Sequence, residues 1–274
     1  MSQTVWMDEH TRAAQEQWNR TPCGVRDYLA ALEYGSREFF DEIRRQRYEV
    51  SDTWMTEKID FGMARDKRLL EIGFGLGSDL LTFAEAGAEV HGIDITEEHY
   101  RLALRNFAVH NRAADLKLCT CAEIDYPSEY FDVVYSNGVL HHTSYTVRCI
   151  SEVYRVLKPG GRFVFSMYYR YSAFHLITVL LYRGILRGHL FRLGYRGLLS
   201  TVENGADGVT IKPLVKTYSK GQLAQMLADF SQVEFTVAHF RRDHLPKIGP
   251  LIPQWLEKPL EPYVGWYLLT TAVK

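Results

Sequence analysis

The sequence predicts an α/β fold: a doubly wound parallel sheet with helices on both faces. Two observations carry that prediction. From Arg68 onward, short apolar runs of strand length alternate with amphipathic stretches of helix length. A glycine-rich turn also joins the first such run to the first such helix, in LEIGFGLGSDL (Leu70 to Leu80).

Each element has its own signal. Residues 1 to about 65 read as helical. In SREFFDEIRRQRYEV, Phe39, Phe40, Ile43 and Tyr48 recur on one helical face. Pro22 and Gly24 break this region in NRTPCGV. RLLEIG is a short buried strand, and SDLLTFAEAG is a helix stopped by Gly87. EVHGIDI is the second strand. TEEHYRLALRNFAVHN is a helix with Thr96 as N-cap, but His99 stands where a capping box needs Glu or Gln. ADLKLC and YFDVVYSNGVL are strands three and four. TSYTVRCISEVYRVL is a helix closed by KPGG, and RFVFSMYY is strand five. A polar loop, TVENGADGVTIKP, precedes the helix SKGQLAQMLADF, for which Ser219 is the expected cap. QVEFTVAHF and VGWYLLTTAVK are the last two strands. The chain reads as one domain over 66–274. A helical extension or lid occupies 1–65, and an insertion spans about 170–215.

Composition excludes several classes. The 274 residues are 46% hydrophobic and 24% charged, with a formal net charge of -1. No global field favours nucleic acid, and nothing resembles a base-reading or single-strand-binding module. The longest apolar stretch, AFHLITVLLY, is too short to span a bilayer. The N-terminus lacks the apolar core of a signal peptide. Four cysteines, Cys23, Cys119, Cys121 and Cys149, suit reduced thiols and a cytoplasmic setting. Cys119 and Cys121 share one face of a strand end, but no His or third Cys follows at ligand spacing. No metal site is expected.

The glycine turn points to a ligand. A strand, a bare turn and a helix N-terminus aim backbone N–H groups at it and let it come close. The spacing is GxGxG through Gly73, Gly75 and Gly77, with Ser78 where a dinucleotide fold places its third glycine. Glu71, two residues before the turn, would repel a pyrophosphate but suits an amino group or a sulfonium. Asp94 lies about 20 residues further on, at the end of strand two, where a carboxylate can accept ribose hydroxyls.

These residues resemble the class I S-adenosylmethionine-dependent methyltransferases, of the ubiquinone/menaquinone, type 11-like, small-molecule kind. LEIGFGLG matches their first motif, GIDIT the second and CAEIDYP the adenine loop. FDVVYSNGVLHHT and EVYRVLKPGGRFVFS match the fourth-strand and fifth-strand motifs. The resemblance implies a Rossmann-like seven-stranded sheet with its last strand antiparallel, and S-adenosyl-L-methionine as cofactor. It implies that the Gly73, Gly75 and Gly77 backbone cradles the methionine part and that Glu71 holds its amino group. Asp94 then binds the ribose and Ile95 packs on the adenine. Ala122 offers a backbone N–H to the adenine ring, and Asn137 a carbonyl near the amino group. Many relatives carry an acid just before the alanine. Cys121 stands there, so adenine is held by backbone alone or by Glu123.

The methyl group of such a donor is already activated, so the protein chiefly positions the acceptor and excludes water. His141, and after it His142, are the candidate general bases. Tyr168, with Tyr169 and Tyr171, is a candidate acceptor-pocket wall. Trp18, Tyr28 and Tyr48 are candidates for a lid. Arg170, Arg183, Arg187, Arg192 and Arg196 interleave with apolar residues. They suggest a substrate cover, a surface helix or a homodimer face. Two rival readings stand beside a methyltransferase: a nucleotide-dependent oxidoreductase on a similar fold, and a catalytically silent cofactor-binding regulator.

Overall fold

The computed structural model describes residues 6–204 and 213–274. Its centre is a seven-stranded sheet of β1 (Arg68–Ile72), β2 (Glu89–Asp94), β3 (Asp115–Leu118), β4 (Phe131–Asn137), β5 (Leu157–Tyr168), β6 (Ser231–Ala238) and β7 (Tyr267–Val273). Their spatial order is β3-β2-β1-β4-β5-β7-β6. β7 runs antiparallel to both neighbours, and the pairs from β3 to β5 are parallel. This is the Rossmann-like sheet that the resemblance implies.

Helices flank it: α1 (Glu9–Arg20), α2 (Arg37–Arg45), α3 (Trp54–Lys58), α4 (Ser78–Glu85), α5 (Glu97–Val109), α6 (Thr146–Val156), α7 (His189–Asn204), α8 (Lys220–Met226) and α9 (Glu257–Val264). Successive strand residues face opposite sides, so each strand feeds two cores. Leu70, Ile72, Val134 and Phe163 pack with Ile150 and Val153 of α6. Leu69, Val133, Tyr135 and Val164 pack with Leu80 and Phe83 of α4 and with Phe107 of α5. Burying each such side chain contributes roughly 1.5–3 kcal/mol. An exposed pair such as Arg20–Glu16 contributes about 0–1 kcal/mol. The two apolar layers therefore hold the strand edges where the site is built.

Local signals mostly fold as their chemistry requires. Ser36 caps α2 by accepting from the Phe39 N–H. Ser219 and Gln222 form a full capping box on α8. Thr96 departs from expectation. It begins α5, but its hydroxyl is buried and makes no capping bond. Asn19 accepts from the Glu98 N–H in its place, at 3.1 Å, and the Asp94 carboxylate accepts from the N–H of Thr96 itself, at 2.9 Å. KPGG does not end as a loop; it continues into β5, whose pairing with β4 shifts register between Phe131 and Val133. β4 stops at Asn137 because Gly138 turns the chain with φ +73°.

At the N-terminus, Phe39, Phe40 and Ile43 are buried against Leu76 and Leu102. Tyr48 is half-buried in a π-helical turn, Gln46–Ser51, that extends α2. The stretch after β5 forms a π-helical segment, Phe174–Leu186, followed by α7, which breaks at Gly194. Leu186 and Phe191 are 69% and 80% exposed there. Of the expected polar loop at 201–213, Thr201 to Asn204 belong to α7 and Pro213 is described. Residues 205–212 lie outside the described residues.

Candidate active site

β1 is flanked by β2 on one side and β4 on the other, so the strand order reverses at its carboxyl end. A crevice is expected at such a switch point. A cavity of about 540 Å³ lies there. Its wall takes residues from the ends of β1, β2 and β4, from α1 and the segment after it, and from α7.

Gly73 and Gly75 line the cavity; Gly77 does not. Gly73 has φ +75°, and a Cβ there would lie 2.3 Å from Val139 Cγ2, so only glycine fits. The expected row of free N–H donors is absent at these three glycines. The Gly73 N–H donates to the Ile93 carbonyl at 2.7 Å, and that of Gly77 to the Phe74 carbonyl at 2.8 Å. The Gly75 N–H donates to Asp94 at 3.1 Å. The glycines of the turn supply room rather than donors.

Glu71 is buried on the cavity wall, and its Oε2 has no hydrogen-bond partner among the described residues. Burial, with the neighbouring charge of Asp79, pushes its carboxyl well above the usual range; Arg47 opposes this. Asp79 itself is held by Arg47 through two bonds of 2.8 Å and by the hydroxyls of Tyr48 and Tyr135. A buried carboxylate oxygen without a partner costs free energy unless a ligand supplies the donor. An ammonium fits that need, and the amino group of S-adenosylmethionine is one.

Asp94 is buried and accepts from Gly75, Thr96 and the Nδ1 of His99. Burial alone would raise its pKa; His99 and the backbone donors outweigh that and hold it below the usual value. His99 accepts from the Cys23 N–H on its other nitrogen, at 3.2 Å. Its Nδ1 therefore carries the proton toward Asp94. A carboxylate has about four acceptor sites, so one remains for a ribose hydroxyl.

Ile95 lies on the wall with Cys119, Thr120 and Cys121. Ala122 and Glu123 do not line it, and the Ala122 N–H donates to the Thr120 hydroxyl at 3.3 Å. The two strand-end cysteines do not form a pair. Cys119 Sγ donates to the Glu123 carbonyl, whereas Cys121 Sγ lies 2.7 Å from Cys149 Sγ of α6, both as free thiols.

At the other end stand Asn137, His142, Tyr168 and Glu203. Asn137 accepts from the Ser166 hydroxyl. Tyr168 donates to Glu203 Oε1 at 2.6 Å. Burial and the Glu203 charge push the Tyr168 phenol well above its usual range, so it is a donor and not a phenolate. His141 departs from its expected place. It is fully buried behind the wall, and its ring lies 3.8 Å from that of Tyr168 and 4.2 Å from that of His142. Burial holds it well below the usual histidine range, hence neutral. Tyr169 and Tyr171 are not on the wall. Trp18 and Tyr28 are; Tyr48 is not.

Arg47, Asp79, His99 and Glu203 are the site's residues that sequence reasoning missed. Asp79 had a signal, an acid in the first turn of the helix after the glycine turn. Glu203 had none, since it stands in a stretch read as a polar loop.

Known proteins resemble this chain in sequence and in fold. A methyltransferase-domain family profile matches residues 70–165. The ubiquinone biosynthesis O-methyltransferase of Thiobacillus denitrificans is 30% identical over 169 residues, covering 56% of this chain and 72% of that protein. The demethylmenaquinone methyltransferase of Tropheryma whipplei is 32% identical over 103 residues, 38% of this chain and 42% of that protein. Among solved structures, phosphoethanolamine N-methyltransferase 2 of Haemonchus contortus, in complex with S-adenosyl-L-methionine, superposes with a TM-score of 0.58 at 19% identity. The match covers 91% of this chain and 59% of that one. The last comparison speaks for the fold alone. With a quinone-pathway relative matched over most of its length and a cavity that fits the donor's ammonium, the chain belongs to the S-adenosylmethionine-dependent methyltransferases.

Proposed function

We propose that the protein methylates a small-molecule acceptor seated between the donor and the Tyr168–His142–Glu203 end of the cavity. One observation carries this reading: a single cavity joins the carboxylates Glu71 and Asp94 to that second polar cluster. S-adenosylmethionine supplies a methyl group already activated on sulfonium. Glu71 takes the donor's amino group, Asp94 its ribose, and Ile95 packs on its adenine. Gly73 and Gly75 make room for the methionine part, with the Asn137 carbonyl nearby. The adenine edge meets the Thr120–Cys121 backbone, because Ala122 and Glu123 do not reach the wall. Tyr168 donates a hydrogen bond, and His142 and Glu203 are the groups on the wall able to accept the acceptor's proton. His141 supports them from behind. Four free thiols suit a reducing cytosol. The exposed face around Leu186 and Phe191 suits a second copy of the chain; a single monomeric species in sedimentation velocity would remove that part.

Calorimetric titration with S-adenosylmethionine, S-adenosylhomocysteine and NAD tests the reading. Both adenosyl compounds bind and NAD does not. Glu203→Gln lowers kcat at least about tenfold and leaves donor affinity within about twofold, because Glu203 faces the acceptor. Binding of NAD alone, or full turnover by Glu203→Gln, would overturn it.

A further inference from the structure

The acceptor end holds more lone pairs than its hydrogen bonds use. One ring nitrogen each of His141 and His142 and one carboxylate oxygen of Glu203 all lie within 4.8 Å of one another. His141 is fully enclosed, yet neither of its ring nitrogens has a hydrogen-bond partner among the described residues. An orphaned buried polar atom of this kind destabilises the fold unless a ligand satisfies it.

His142 shows how its own lone pair is aimed. Its Nδ1 lies 2.8 Å from the Leu214 carbonyl oxygen. A carbonyl only accepts, so Nδ1 carries the proton and Nε2 presents its lone pair. Nε2 stands 3.8 Å from Glu203 Oε1, too far for a hydrogen bond. An imidazole whose far nitrogen is tied to a backbone carbonyl is the usual outer-shell arrangement of a metal-ligating histidine. The Tyr168 hydroxyl orients the carboxylate in the same way, from 2.6 Å.

We propose that His141, His142 and Glu203 form a binding site for one divalent cation of the zinc, manganese or iron(II) class. Two imidazoles and one carboxylate suit these ions. Magnesium and calcium call for mostly oxygen ligands. Bonds of about 2.0–2.2 Å place tetrahedral ligand atoms roughly 3.4 Å apart, so ligand atoms that now lie within 4.8 Å of one another draw together on the ion. Three protein ligands leave a position open toward the cavity. Water, or an acceptor hydroxyl whose pKa the ion would lower, fits there. That last role rests on the acceptor reading above; cation binding itself does not.

The test uses the full chain, stripped with a chelator and dialysed. It is titrated with Zn²⁺ by calorimetry and with Co²⁺ by visible absorption. One ion per chain is expected, with a Co²⁺ spectrum of nitrogen and oxygen ligation and no thiolate charge-transfer band. Glu203→Gln and His142→Ala each weaken binding at least tenfold, while S-adenosylmethionine still binds both variants and so reports an intact fold. Absence of stoichiometric binding, or binding unchanged in both variants, overturns the site. So does binding that is lost only in Cys149→Ser, which would place the ion on thiols. If the stripped protein binds no ion but still transfers methyl groups, the cation site falls and the methyltransferase reading stands. If it binds Co²⁺ but no S-adenosylmethionine, the reverse holds.

Discussion

Glu71 shows what one residue can reveal about binding. Its folded-state pKa stands above the unfolded value near 4.5. Below that value the carboxyl is protonated in both states and costs nothing. As pH rises through the window between the two pKa values, the folded form holds its proton longer and stability falls; above the window the full cost of a buried charge remains. A bound ammonium removes that cost. The melting temperature of the ligand-free protein is therefore expected to fall as pH rises above 4.5, and Glu71→Gln to flatten the fall. The same substitution weakens S-adenosylmethionine about 10–100-fold, the worth of one hydrogen bond between charged groups. A pH profile shared by wild type and Glu71→Gln would refute the assignment. Glu71 and Asp94 were legible because both are fixed by their distance from the glycines along the chain. The glycine N–H groups were misread, because their acceptors, Ile93, Asp94 and Phe74, depend on how the turn folds back. Arg47 and Glu203 were invisible: only tertiary packing brings them to the wall.

Among elements, α1 and the segment after it are latched to the carboxyl end of β2. Gln15 donates to the Ile95 carbonyl at 2.6 Å, and Asn19 accepts from the Glu98 N–H at 3.1 Å. The third link runs from Cys23 through His99 to Asp94, the carboxylate read as the ribose acceptor. Thr11, Ala14 and Trp18 of this helix line the cavity. Donor binding is therefore expected to slow amide exchange across residues 11–24. A Gln15→Ala, Asn19→Ala double substitution should restore that exchange and weaken the donor by about 1–2 kcal/mol, the net worth of two hydrogen bonds. Hydrogen-exchange mass spectrometry checks this; equal exchange with and without donor would uncouple the helix from the site. Strands and the α8 cap were legible from local chemistry. The Thr96 cap was not, since Asn19 of α1 takes the Glu98 N–H that the threonine hydroxyl was expected to hold.

Over the whole molecule, the parallel part of the sheet was legible because its strands are buried on both faces and read as continuous apolar runs. The stretch after β5 was not, because apolar and basic residues alternate there without one period. Val179 and Leu198 of that stretch pack inward while Leu186 and Phe191 face solvent. The cavity that this architecture encloses has a sign. Its wall carries the carboxylates of Asp52, Glu71, Asp79, Asp94 and Glu203 against the guanidinium groups of Arg26 and Arg47. ATP and NAD share an adenosine with the donor, but they bring phosphates where it brings a sulfonium and an ammonium. A wall of this charge repels the former and attracts the latter. ATP at millimolar concentration is expected to leave the S-adenosylmethionine titration unchanged, while S-adenosylhomocysteine competes. Displacement by ATP would show that no such sorting exists. On that reading, charge sorts the donor from the cell's other adenosine compounds, since base and sugar are common to them all.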